Sequence, residues 1–117
     1  MKIRTVYFKV HDMQQAVAFW QEFLEIKPHK QFDEWHEFMV GNLRLGLLKD
    51  LEGDAHSGCN CVPVFEFPDD EVLMYCTRAI QLGALLIVDG LNDPNLRSMV
   101  LRDPCGNEFE VSKFHDQ

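Results

Sequence analysis

With 117 residues and 46% apolar content, the chain has room for one domain around one core, which excludes both disorder and a multi-domain layout. Its formal charge of −8, with eleven Lys and Arg scattered along the chain, argues against nucleic acid or an anionic membrane surface as partner and favours a small molecule. Met1 to Val10 alternates without an apolar leader and no long apolar run follows, so a cytoplasmic protein without a membrane span is expected. Four cysteines, two of them at Cys59 and Cys61, read as thiols and not as a disulfide framework.

Ile3 to Val10 is rich in Val, Ile, Tyr, Phe and Thr and predicts a half-buried strand. Asp12 then offers an N-cap, and Met13, Ala16, Val17, Phe19, Trp20, Phe23 and Leu24 recur at helical spacing before Pro28 forbids continuation. Residues 30 to 49 predict two strands joined at Gly41-Asn42, a dipeptide suited to a tight hairpin. After a polar connector, Asp50 to Gly58, the same order returns at an offset of about 57 residues. Val62 to Phe67 reads as a strand, and Val72, Tyr75, Cys76, Ala79, Ile80 and Leu82 as a helical stripe closed near Gly83. Leu85 to Val88, Ser98 to Arg102 and Glu108 to Lys113 read as strands, the last two around a turn at Asp103-Pro104-Cys105-Gly106-Asn107.

A turn at Gly41-Asn42 opposes Val40 with Leu43, Phe38 with Leu45 and His36 with Leu47 on one apolar face. Trp35, Glu37, Met39, Arg44, Gly46 and Leu48 share the other, with Thr5, Tyr7 and Lys9 of the first strand. In the second half Met99, Leu101, Phe109 and Val111 form the apolar face, and Ser98, Val100, Arg102, Glu108, Glu110 and Ser112 the opposite one. The expected fold is α+β: two βαβββ modules, about 1–50 and 60–115 within a single domain 1–117, forming a curved mixed sheet around a cup with helices on the outer face.

Asp103-Pro104-Cys105-Gly106-Asn107-Glu108-Phe109-Glu110-Val111, with Arg97 before it, resembles the DPDGN-x-x-E-L signature of the vicinal oxygen chelate superfamily of glyoxalases, bleomycin-resistance proteins, fosfomycin-resistance enzymes and extradiol dioxygenases. Val10-His11-Asp12 through Phe19-Trp20 is similar to the V-x-D…F-Y opening of that superfamily. The resemblance implies paired βαβββ modules, a homodimer and, in metal-dependent members, two His and two Glu around a divalent cation. By spacing, those ligands fall on Thr5, Gly46, Val62 and Glu110, and only Glu110 is a ligand type. No metal and no cofactor is therefore expected, and the chain is read closer to the metal-free bleomycin-resistance-like branch than to the enzymes. That branch implies a module sequestering a cationic or aromatic compound, antibiotic resistance among its roles; the alternative is an isomerase, lyase or dioxygenase using Glu110 as base or metal ligand.

The candidate ligand-binding residues are Tyr7, Trp35, Glu37, Met39, Arg44, Arg102, Glu108 and Glu110. Glu110 is the candidate base, against a plainer reading in which it pairs with Arg44 or Arg102. Arg102 and Glu108, directly opposed, read first as a cross-strand ion pair. Tyr7, Trp35 and Met39 would stack on a planar or cationic ligand, or else fill the cup floor or a subunit interface. His56, Cys59 and Cys61 read as loop residues before they read as a soft-metal site, and Cys105 as an exposed thiol in its turn. His11, His29, His36 and His115 are dispersed, with no nucleophile grouped beside them.

Overall fold

A computed structural model describes residues 1–50 and 61–114. β1 (Thr5–Val10) buries Phe8 and Val10 and hands over at Asp12, whose Oδ1 accepts from the Gln15 amide at 3.0 Å. That bond satisfies one of the amides an N-terminus leaves without a partner. α1 (Met13–Leu24) buries Ala16, Phe19, Trp20 and Phe23 and stops at Glu25, which takes a left-handed conformation with φ 59°. Residues 30–49 hold three strands where the sequence predicted two: β2 (Lys30–Gln31), β3 (Trp35–Val40) and β4 (Leu43–Lys49). A chain reversal, in which Phe32 N–H donates to the Trp35 carbonyl at 2.8 Å, cuts the short β2 away from β3. Gly41, with φ 59°, turns β3 into β4 in the predicted register, and β1 pairs parallel with β4 in a sheet of order β1-β4-β3-β2.

The second half repeats the plan with β5 (Val64–Phe67), α2 (Val72–Gln81), β6 (Leu85–Gly90), β7 (Ser98–Arg102) and β8 (Glu108–Lys113), in a sheet of order β5-β8-β7-β6. β5 starts two residues later than the expected Val62, and β6 runs on to Gly90. α2 buries Val72, Cys76 and Ala79 but leaves Ile80 exposed.

The modules meet through α1, whose aromatic stripe touches both sheets. The Trp20 ring lies 5.4 Å from Phe8 of the first sheet and 5.0 Å from Phe109 of the second, and Phe23 packs on Phe65 and Phe109. Each sheet therefore turns its apolar, helix-covered face toward one shared core; its polar face, the cup side of the sequence reading, points away from that core and is from here on the outer face. No hydrogen-bonded ladder joins the sheets among the described residues, so they remain two four-stranded sheets and do not merge edge to edge within one chain.

The signature turn locks this junction. Asp103, fully buried, accepts the Cys105 and Asn107 amides on Oδ1 at 3.0 and 2.7 Å and the Trp20 indole N–H on Oδ2 at 3.0 Å. The Asn107 side chain donates to the Lys9 carbonyl of β1 at 3.1 Å, and Gly106 supplies the φ of 91° that the turn needs. One five-residue turn of the second module thus holds both the helix and the first strand of the first. Asp103→Ala leaves these three donors without a partner and is expected to cost about 3 kcal/mol or more in urea unfolding. Asp103→Asn keeps a carbonyl oxygen for the two turn amides but sets its NH2 against the Trp20 indole N–H, so it should cost less than alanine yet still destabilise; a loss for Asp103→Ala below about 1 kcal/mol would mean that the carboxylate is not what holds the turn.

Candidate functional site

The outer face of the first sheet is organised by a missing side chain. A Cβ at Gly46 would stand 2.1 Å from Cη2 of Trp35, so only glycine lets the indole lie across β4. Lying there, Trp35 meets Tyr7 edge-on at 5.7 Å and 69°, and its Nε1 donates to Glu37 Oε1 at 3.3 Å. Tyr7 and Met39 stay 49% and 40% exposed, leaving an aromatic shelf open to solvent. Beneath it Glu37 is only 1% exposed. Its Oε2 is met by His29 Nε2 at 2.6 Å, Arg44 Nε at 3.5 Å and Lys30 Nζ at 4.0 Å. Desolvation pushes the Glu37 carboxyl up, but the His29 hydrogen bond, the Lys30 and His29 charges and the Trp35 N–H outweigh it and hold the group below its ordinary value.

On the second sheet, register places Val64 and Glu66 of β5 beside Glu110 and Ser112, with Val100, Arg102 and Glu108 on the same face. Glu110 takes neither of the expected arginines: Ser98 Oγ donates to it at 2.8 Å, Arg44 is drawn to Glu37, and Arg102 pairs with Glu108 at 3.2 Å, as the cross-strand reading expected. The two outer faces carry opposite excess charge. The first sets Lys9, Lys30 and Arg44 against Glu37; the second sets Glu66, Glu108 and Glu110 against Arg102.

In the strand register Glu110 lies opposite Val64 and Gly46 opposite Tyr7, each two residues along the chain from Val62 and Thr5, the positions the resemblance implied. With Tyr7 and Val64 as with Thr5 and Val62, a hydroxyl, a glycine, a valine and one carboxylate do not make a donor set for a divalent cation, and the Trp35 ring covers the glycine. Among the described residues no cluster of three His, Cys, Asp or Glu could hold a metal. A further cavity of about 450 Å³ lies between the modules, lined by Val6, Phe23, Leu45, Phe65 and Tyr75 and, from the outer side of β5, by Val64 and Glu66.

Cys105 is buried, not exposed as its turn position suggested, and burial, aided by Asp103, pushes its thiol up to about 11. His56, Cys59 and His115 lie outside the described residues, and Cys61 is exposed. His36 sits on the inner face opposite Leu47 as expected, its Nδ1 buried without a partner and its pKa lowered by burial. His29, one of the dispersed histidines with no nucleophile beside it, joins the carboxylate of Glu37. Sequence gave no local signal for this, because β2 is only two residues long and has no periodicity to read.

The family model for the glyoxalase-like domain matches residues 5–112. The chain belongs to this family. Glyoxalase-like folds close to it include a glyoxalase-related enzyme from Fulvimarina pelagi, 15% identical at TM-score 0.82, over 97% of this chain and 88% of that one. A glyoxalase/bleomycin resistance protein from Albidiferax ferrireducens T118 is 18% identical at TM-score 0.79, over 96% and 98%. The fosfomycin resistance protein FosX from Listeria monocytogenes, solved as its E126Q mutant with Mn(II) and 1S,2S-dihydroxypropylphosphonic acid, is 18% identical at TM-score 0.75, over 96% and 88%. At these identities the likeness is one of fold. No curated protein sequence matches the chain.

For this glyoxalase-like domain two outcomes are expected. Cys76 and Cys105, both pushed up to about 11 by burial, should resist iodoacetamide at pH 8 in the folded protein and react on unfolding; rapid labelling of Cys105 would contradict its burial. Glu37, whose carboxyl is depressed in the fold, contributes stability that is present above its ordinary value of 4.5 and lost as pH falls through the lower folded value. The difference in melting temperature between wild type and Glu37→Gln should therefore shrink below pH 4.5, whereas a pH-independent difference would assign the residue a purely packing role.

Proposed function

We propose that this glyoxalase-like domain is a cytoplasmic, metal-independent binding protein for a small aromatic compound carrying a cationic group, in the manner of bleomycin-resistance proteins. The observation that carries the reading is the open Tyr7–Trp35 shelf, seated over Gly46 and backed by the buried Glu37. Exposed aromatic rings held in a fixed geometry bind planar groups without first paying ordering entropy. The cationic end is assigned to the second sheet, where Glu66, Glu108 and Glu110 outnumber Arg102. Since the two sheets do not join edge to edge in one chain, the cup is completed by a second copy, the basic outer face of one protomer meeting the acidic outer face of its partner. Binding and antibiotic sequestration then need no metal, in keeping with the donor set at Tyr7, Gly46, Val64 and Glu110.

Titration with phenethylamine, followed by Trp35 fluorescence, should show saturable quenching that Tyr7→Ala weakens about tenfold, which is the loss of roughly 1.4 kcal/mol of stacking. Glu110→Gln should weaken the amine but not the neutral ethylbenzene. Sedimentation equilibrium should return a dimer that Arg44→Glu weakens; a monomer that binds phenethylamine with full affinity would overturn the shared cup.

A further inference from the structure

We propose that His29 and Glu37 form a proton-transfer pair on the first outer face, with His29 acting as general base on an enolisable carbonyl compound that bears an aromatic ring; this rests on the cup reading above. A carboxylate 1% exposed on a sheet face is costly to keep, and an apolar residue would fill the place more cheaply. What the charge secures here is the orientation of an imidazole. His29 Nε2 is committed to Glu37 Oε2 at 2.6 Å, so the neutral ring carries its proton on Nε2 and its lone pair on Nδ1. Among the described residues His29 makes no other side-chain hydrogen bond, and its side chain is 36% exposed. A carboxylate behind an imidazole stabilises the imidazolium that forms when Nδ1 takes a proton.

The neighbours supply the remaining parts. Trp35 Nε1 and His29 Nε2 bind the two oxygens of one carboxylate, so a ring resting on the Tyr7–Trp35 shelf lies within a small molecule's length of the base. Arg44 spends Nε on Glu37 at 3.5 Å and keeps its terminal nitrogens for an oxyanion, with Lys30 beside it. In the step, the C–H bond next to the carbonyl breaks and its proton passes to His29 Nδ1. The electron pair moves into the new C=C bond, and the carbonyl oxygen takes the negative charge facing Arg44. Return of the proton to carbon closes the cycle without oxidant, reductant or metal. The charged groups around His29 are Glu37 from β3, Lys30 from β2 and Arg44 from β4.

The probe is phenylacetone in D₂O with the full-length protein: deuterium wash-in at its α-carbons is read by proton NMR, and binding by Trp35 fluorescence, with the fully buried Trp20 as constant background. Wild type should exchange the α-protons well above buffer. His29→Gln should bind phenylacetone equally and fall to the buffer rate, while Glu37→Gln should lose at least tenfold and retain the fold. If Glu37→Gln does not fold, the exposed His29 carries the test alone. Quenching with no exchange above buffer, or equal exchange in wild type and His29→Gln, overturns the proton-transfer pair and leaves the cup reading standing. No quenching at all overturns both.

Discussion

A carboxylate shut away from water must find donors, and Asp103 finds them in three places that would otherwise be unrelated: two amides of its own turn and the indole of a helix more than eighty residues earlier. Its burial raises the carboxyl above its ordinary value, a cost of dehydration that the donors of its turn and of Trp20 offset only in part. The constraint reaches far because Trp20 is also the ring on which Phe8, Phe65 and Phe109 converge. Fixing one indole fixes the distance between the two sheets. Asn107, reaching from the same turn to the Lys9 carbonyl, sets the end of β1 and through it the register of the first outer face.

That register decides which chemistry is available. With α1 and α2 covering the inner faces of the sheets, residues at the alternate positions are released from that core, and the outer faces are free to differ. They differ in charge and in texture. The first is an aromatic shelf over a buried, cation-ringed carboxylate; the second is a row of short hydrogen-bonded pairs, Ser98 with Glu110 and Arg102 with Glu108. Repetition of the module supplied the scaffold twice, and the side chains at equivalent places were then put to different uses.

The parts of this architecture that could be read from sequence are those with strong local physics. The Asp12 cap, the α1 stripe, the Gly41 turn and the register of β3 on β4 all follow from spacing and backbone preference, and the alternation along β1, β4, β7 and β8 separates the faces correctly. What was illegible depended on distant contacts. β2 is too short to show a period, so His29 and Lys30 gave no hint that they close on Glu37. Cys105 looked exposed because turns are usually exposed; it is buried because this turn is pressed against Asp12 and the start of α1. Thr5 and Val62, the positions that spacing implied for metal ligands, stand two residues along the chain from Tyr7 and Val64, the register partners of Gly46 and Glu110; a two-residue step preserves the face and so cannot be seen in an alternating pattern.

Net charge was the weakest guide of all. A total of −8 suggests a cation-seeking surface everywhere, yet the first outer face carries Lys9, Lys30 and Arg44 against one carboxylate, Glu37. A bound molecule responds to the field where it lies, and that field is set by groups within about one Debye length, roughly 8 Å at physiological ionic strength. A ligand lying between a basic and an acidic face therefore experiences a directed field whatever the sum over the chain. Such a field selects molecules by the order in which they present a ring, an electron-rich oxygen and a cation, which is a finer criterion than charge. Glu37, withdrawn from solvent, shows how local that field is: one buried carboxylate oxygen gathers His29, Lys30 and Arg44 around it in a chain that is acidic as a whole.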